Sequence, residues 1–395
     1  MTSKPPFGGE VVRLGELIES SKAKNKDGLF ADVYSVTNSH GFVPSQEYFN
    51  KEVYSKELRT YRVVHRNMIA YNPSRINVGS VAVQDKVDNA IVSPLYVVFS
   101  ADETKVIPGY LVRFLRSKPG LDQIAQQSIG TVRSNLKFDA LCKMQMPLPS
   151  LQAQVERMNK LTLVEQLADD CEHYLFHLDE LVKSRFAEMF GDTDALMSRW
   201  PRKPLMACVN QIDSGKSVNC KAEARTGSAP GVLKLSALSS GKYLPEENKA
   251  MFDSDNVLPG KEVMIGDILV ARKNTPDLVG TCVLVDFDAP NLMFPDLVFR
   301  MHPIEGVDGT YLSSLLGKSS FSKTVRSLAH GSAKSMSNIP KSELEKLELP
   351  LPPLALQREF ADFATRVDKL RVEAQVQKEK LQTLYDSLAQ DYFAI

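Results

Sequence analysis

Pro147-Leu148-Pro149-Ser150-Leu151-Gln152-Ala153-Gln154 returns 203 positions later as Pro350-Leu351-Pro352-Pro353-Leu354-Ala355-Leu356-Gln357. Each stretch opens a long run free of proline, Ser150 to Phe190 and Leu354 to Phe393. Proline suits the turn before a helix and its first position, and serine is a good N-cap, so both stretches read as helix starts. Just upstream, Ser134-Asn135-Leu136 returns as Ser337-Asn338-Ile339 and Leu141 as Leu344, at the same spacing. Farther back the correspondence continues with small slips. Ser93-Pro94 precedes the apolar run Leu95 to Phe99, and Phe294-Pro295 precedes Leu297 to Phe299. Tyr110-Leu111 matches Tyr311-Leu312, and Val33-Tyr34-Ser35-Val36-Thr37 mirrors Val232-Leu233-Lys234-Leu235-Ser236. Met68-Ile69-Ala70-Tyr71 matches Ile268-Leu269-Val270-Ala271, each followed by a polar loop and a glycine, Gly79 or Gly280. An ordered series of this kind marks an internal tandem duplication.

Each copy begins with short apolar runs broken by Gly, Pro, Asn and Ser, including Val78 to Val83 and Thr281 to Val285, which is the grammar of β-strands. Each ends in one long helix. In the first helix Val164, Leu167, Cys171, Tyr174, Leu178 and Leu181 follow 3-4-3-4-3 spacing. In the second, Val367, Leu370, Ala374, Gln377, Leu381, Leu384 and Leu388 hold the same register. This is a heptad seam. Roughly 40 residues at about 1.5 Å rise give a rod near 60 Å. Helices this polar need a partner, and the other copy's helix, running antiparallel, is the expected one. The expected fold class is α+β: a globular domain over residues 8–147, a spacer helix over 148–192, a second domain over 199–349 and a second helix over 350–395.

The 395 residues suit more than one domain, and 43% hydrophobic with 24% charged residues is ordinary for a soluble globular chain. No apolar run is long enough for a membrane span and no secretory leader is apparent. Five scattered cysteines argue against a disulfide framework, so a cytoplasmic location is expected. Lys plus Arg equals Asp plus Glu at 48 each, but the distribution is uneven. Residues 1–147 hold 19 basic against 14 acidic side chains, 148–198 hold 4 against 10, 199–349 hold 19 against 17, and 350–395 hold 6 against 7. Globular parts therefore lean towards an anionic partner and the helices towards protein.

Catalytic constellations are missing. Asn72-Pro73-Ser74-Arg75 lacks the second proline and aromatic of an adenine-methyltransferase signature. Gly215-Lys216-Ser217 and Gly317-Lys318-Ser319 end like phosphate loops, yet Asn210 and Leu312 stand where the first glycine is required. Pro295-Asp296 has no Asp/Glu-x-Lys following it. His173 and His177 sit one helical turn apart with no third ligand, and read as ordinary helix histidines. The cysteines read as small core residues.

With its variable β-rich domain, its Pro-Leu-Pro-x-Leu-x-x-Gln helix start and its helix end Phe186-Ala187-Glu188-Met189-Phe190-Gly191-Asp192, all on a plan used twice, the chain resembles the specificity (S) subunit of type I restriction–modification enzymes. The openings Val12-Arg13-Leu14-Gly15-Glu16-Leu17 and Val33 to Thr37 add to the likeness, whereas Lys203-Pro204-Leu205-Met206-Ala207 departs from the usual opening in the second copy. The resemblance implies a non-catalytic subunit whose two target-recognition domains each read one half of a split site on double-stranded DNA. It implies that the helices space the halves and dock two modification (M) subunits, with restriction (R) subunits joining through the complex. S-adenosylmethionine, ATP and Mg would then belong to partner subunits, and this chain would bind no cofactor or metal. The alternative is a protein-interaction scaffold that binds no DNA; an inactive relative that docks M subunits without reading DNA is a third reading.

Arg reads guanine, Asn or Gln adenine, and Ser or Thr either, so polar loops between apolar runs are the places to seek readers. The expected DNA-binding residues are Asn72, Ser74 and Arg75 in the first copy and Arg272, Lys273 and Asn274 in the second. Lys216 and Ser217, then Lys22, Lys24 and Lys26, form a second tier. Arg133 and Lys334, ahead of the helices, form a third. For helix and subunit packing the expected residues are Val164, Leu167, Leu178, Leu181, Val367, Leu370, Leu381 and Leu384.

Overall fold

The computed structural model describes residues 10–48, 57–128, 135–252, 257–317, 319–331 and 336–395. Expected readers Arg133 and Lys334 lie outside these. The chain divides into two compact units, Met1–Glu172 with Gln375–Ile395, and His173–Ala374. Each unit thus joins one globular domain to the first half of the long helix that follows it and the second half of the other long helix.

In the first unit a four-stranded antiparallel sheet runs in the order Ile18–Ser21, Val97–Ala101, Ile69–Tyr71, Val81–Val83. In the second the same order is Val209–Ser214, Val298–Pro303, Ile268–Ala271, Cys282–Leu284. The helix Pro108–Arg116 follows the first sheet and Gly309–Gly317 the second. Gly79 and Gly280 precede the fourth strands with φ of +83° and +77°, a left-handed turn that a side chain would strain. Each domain closes on a two-stranded pair, Glu10–Arg13 with Gln145–Leu148 and Arg202–Pro204 with Glu348–Pro350. Leu14 N–H donates to Met144 O at 2.9 Å and Leu205 N–H to Leu347 O at 2.8 Å. Leu205-Met206-Ala207 is therefore the counterpart of Leu14-Gly15-Glu16: the second opening departs in sequence but not in backbone. The copies differ most outside the sheets. The first adds the hairpin Tyr34–Thr37 with Gly41–Pro44, and the second a small mixed sheet of Gly231–Leu233, Asn248–Ala250 and Leu292–Met293.

The repeated helix starts explain themselves chemically. Ser150 Oγ accepts from Ala153 N–H at 3.3 Å, the expected N-cap. The glutamine that ends the motif is wholly buried in both copies. Gln154 accepts from Ile107 N–H at 2.9 Å and donates to Lys105 O and Pro149 O at 2.8 and 2.9 Å. Gln357 accepts from Asp308 N–H at 2.9 Å and donates to Pro352 O at 2.7 Å. Each glutamine pins its helix to the segment that leads into its domain's own helix. At the other end of the first long helix, Gly191 adopts φ +100° to stop it, and Asp192 caps the next, Thr193–Arg199, by accepting from Ala195 N–H at 3.1 Å. Phe186 and Phe190 pack on each other at a ring separation of 4.9 Å and with Tyr311 and Phe360 at 5.0–5.7 Å. In the first unit Phe393, 203 positions beyond Phe190, packs on Tyr110 and Phe114 at 5.1 and 5.9 Å.

The long helices, Leu151–Phe190 and Leu354–Phe393, pair antiparallel within each unit. Glu172 accepts from Lys378 at 2.9 Å in the first unit; in the second, Asp179 bonds Arg371 and Glu359 accepts from Arg185 at 3.0 Å. The seam corrects the expected one by a single residue. Val164 and Leu178 are buried, and Cys171 is half-buried, as expected, but their seam neighbours are Ala168, Leu175 and Val182. Leu167, Tyr174 and Leu181 are exposed at 43–46%. The second helix repeats the slip: Val367 and Ala374 are buried and Leu381 half-buried, while Leu370 and Leu384 are exposed and Arg371, Lys378 and Tyr385 face inward. The reason is the length of each row. The row through Leu167 runs into Lys160 and Glu188, whereas the row through Ala168 continues from Gln154 and Leu161 to Val182 and Met189 without a charge. In the second helix the inward row carries Arg371 and Lys378, whose stems bury and whose charges meet carboxylates of the facing helix. Among the described residues no helix is long and apolar enough to cross a membrane.

Candidate nucleic-acid interface

Strand register brings several loops to one end of each sheet. Ser21 lies opposite Val98 and Tyr71 opposite Val97, so the segments 22–26, 72–80 and 94–96 share that end. Their charged side chains are Lys22, Lys24, Lys26 and Arg75, all basic. Arg62 joins them: it bridges Lys24 through the backbone, and its Nε donates to Pro94 O at 3.2 Å. In the second unit Ser214 lies opposite Phe299 and Ala271 opposite Val298, which gathers 215–219, 272–281 and 294–297. Here Lys216, Arg272 and Lys273 stand against Asp277 and Asp296. The structure thus brings together, domain by domain, first- and second-tier candidates that lie in separate stretches of sequence.

Their roles divide. Asn72 is half-buried and its Oδ1 accepts from Ser74 N–H at 3.1 Å, closing the loop on itself, while Ser80 N–H donates to Arg75 O at 3.1 Å. Ser74 Oγ donates to Asn135 Oδ1 at 2.7 Å, and Leu136 N–H donates to Pro73 O at 3.1 Å. Tyr71 adds a bond from its hydroxyl to Leu136 O at 3.0 Å; burial pushes this phenol well above its ordinary pKa, so it stays a neutral donor. Arg75 is exposed. In the second unit Ile339 N–H donates to Arg272 O at 2.9 Å, and Lys273 and Asn274 pair with Asn338 and Ser337. Arg272 is not presented to a ligand as a bare cation: its guanidinium lies 5.1 Å over the Phe299 ring and donates to Asn338 Oδ1 at 3.3 Å. Asn274 is buried and accepts from Thr275 N–H at 2.8 Å. Lys273 is half-exposed, and Lys216 and Ser217 are exposed, with Ser217 hydroxyl bonded to Asp296. Asn135 and Asn338 were not among the expected site residues. Their place in the repeated Ser-Asn-Leu and Ser-Asn-Ile was the available signal, and in both copies they hold the polar loop.

One end of each sheet therefore presents cations and amides on loops whose main chain is fixed. Such a surface can meet phosphates with Lys and Arg and hold polar side chains towards base edges.

No protein-family model matches the chain. It is 31% identical to the specificity subunit of the type I restriction enzyme EcoEI from Escherichia coli, over 46% of this chain and 31% of that protein. It is 23% identical to the specificity subunit of the type I restriction enzyme MjaVIII from Methanocaldococcus jannaschii, over 95% of this chain and 90% of that one. The first match spans about a third of that relative, the second nearly all of it. Among solved structures, a chain from a study of complex assembly and conformational transition in a type I restriction–modification system superposes with a TM-score of 0.63 at 16% identity, over 99% of both chains. The S subunit of a type I system from M. genitalium superposes with a TM-score of 0.54 at 13% identity, over 100% of this chain and 98% of that one. By sequence and by fold, the chain is similar to the specificity subunits of type I restriction–modification systems.

Proposed function

We propose that this chain is the non-catalytic specificity subunit of a type I restriction–modification complex, each globular domain reading one half of a bipartite site on double-stranded DNA. The observation that carries the reading is the duplicated sheet end, with cationic and amide loops at the same place in two domains of different sequence. Two different readers on one chain specify two different half-sites, and the paired helices fix the gap between them. In unit 1 the loop set holds basic residues only, so phosphate attraction is stronger there than in unit 2. The exposed rows of the helices support docking of two modification subunits. Leu167 and Leu370 occur at the 203-residue spacing, as do Leu181 and Leu384, giving two equivalent apolar seats free of the helix pair. Restriction subunits join through that complex. The methyl donor, ATP and Mg act on the partner subunits, and the complex works in the cytoplasm.

A genome-wide map of N6-methyladenine tests this. Cells carrying the chain with its modification subunit are compared with cells lacking only the chain. Loss of one split motif supports the reading; an unchanged map with the modification subunit active refutes it.

A further inference from the structure

Leu95 is 81% exposed, more than any other large apolar side chain among the described residues. The sequence places it in an apolar run that reads as strand, but the strand begins at Val97, and Leu95 stands on the turn before it. That turn is rigid. Leu95 N–H donates to Ser93 Oγ at 3.3 Å, Tyr96 N–H to Ser93 O at 3.0 Å, and Pro94 O is held by Arg62. Val97 pairs with Tyr71 and Val98 with Ser21, so Leu95 lies between the loop bearing Lys22 and Lys24 and the loop bearing Asn72 and Arg75. A single exposed leucine is unremarkable on an open surface. A leucine fixed amid cations, at the sheet end that meets DNA in the proposal above, has a specific use. Apolar side chains in the major groove recognise the thymine C5-methyl group, the one apolar feature of the base edges. In the second copy the residue after the matching proline is Asp296, already bonded to Ser217, so the two domains offer different chemistry at one position.

We propose that Leu95 is a specificity residue of the first domain, contacting a thymine methyl group in its half-site. This rests on the DNA-reading function proposed above. The test uses the complete chain in complex with its modification subunits and duplexes bearing the motif found by methylation mapping. Each thymine of the half-sites is replaced in turn by deoxyuridine, which removes only the methyl group. One replacement should weaken binding about fourfold, the factor that follows from about 0.8 kcal/mol for one methylene-sized contact. Leu95→Ala should lose a similar factor on the thymine duplex and become indifferent to that replacement, whereas Leu95→Met should keep the sensitivity. If no deoxyuridine matters, or if it costs Leu95→Ala the same factor as the parent, Leu95 does not read thymine. If no split motif exists and no duplex is bound selectively, the DNA-reading function itself falls, and Leu95 with it.

Discussion

Replacing Gln154 by methionine isolates the chemistry of the repeated helix start. Methionine keeps the volume and stem but removes both polar atoms. Ile107 N–H, Lys105 O and Pro149 O each lose a partner. The bond to Pro149 O is buried and the other two are half-buried. An unsatisfied buried group costs about 1–3 kcal/mol, and the half-buried groups recover part of this from water. The expected loss is therefore about 3–4 kcal/mol. With a urea slope of about 2 kcal/mol/M, the first unit's unfolding midpoint should fall by about 1.5–2 M. Gln357→Met removes two bonds rather than three and should cost the second unit less, about 2–3 kcal/mol. The assay is urea unfolding of the purified chain, followed by near-UV and far-UV circular dichroism. A shift below about 0.5 M for Gln154→Met, or a larger shift for Gln357→Met, would refute the claim that this glutamine is a hydrogen-bonding pin.

Leu178→Asp places a carboxylate in the buried seam and should destabilise the second unit by several kcal/mol, whereas Leu181→Asp on the exposed row should leave the unfolding free energy within about 0.5 kcal/mol of the parent and instead weaken capture of the modification subunit in a pull-down. Arg272→Ala should lower thermal stability by about 1 kcal/mol, because it removes the contact with Phe299 and the bond to Asn338, while Arg75→Ala should leave stability unchanged and weaken DNA binding. Lys22→Ala and Lys24→Ala should each reduce the slope of log affinity against log salt by about 0.9, measured by fluorescence anisotropy at several ionic strengths; unchanged slopes would remove these lysines from the interface.

The duplication and the helix starts are plain in the sequence because proline and glycine act locally and the buried glutamine recurs at a fixed spacing from them. The seam is legible only to within one residue. Leu167 and Leu181 look better than Ala168 in a short window, and the choice rests on how far each row stays uncharged. In the second helix even that signal fails, since Arg371 and Lys378 become acceptable inward residues only when Asp179 and Glu172 stand opposite. The same limit governs the candidate site. A polar loop after an apolar run is visible at Asn72 and at Arg272, but whether its side chains face a ligand or bond each other depends on residues far along the chain, Phe299 27 positions from Arg272 and Asn135 and Asn338 more than 60 from the loops they bond. Leu95 is concealed by its neighbours, because an apolar residue two places before an apolar strand looks like part of it.

Part of what holds the candidate loops is main chain: Pro73 O accepts from Leu136 N–H, and Arg272 O from Ile339 N–H. A peptide carbonyl is present whatever side chain accompanies it. Substitution of the exposed Arg75 leaves those bonds in place, so under the proposed function a lineage carrying such a chain would drift to new targets at such positions while keeping the same partners. On that reading, target choice and structural integrity are separately inherited traits of one polypeptide.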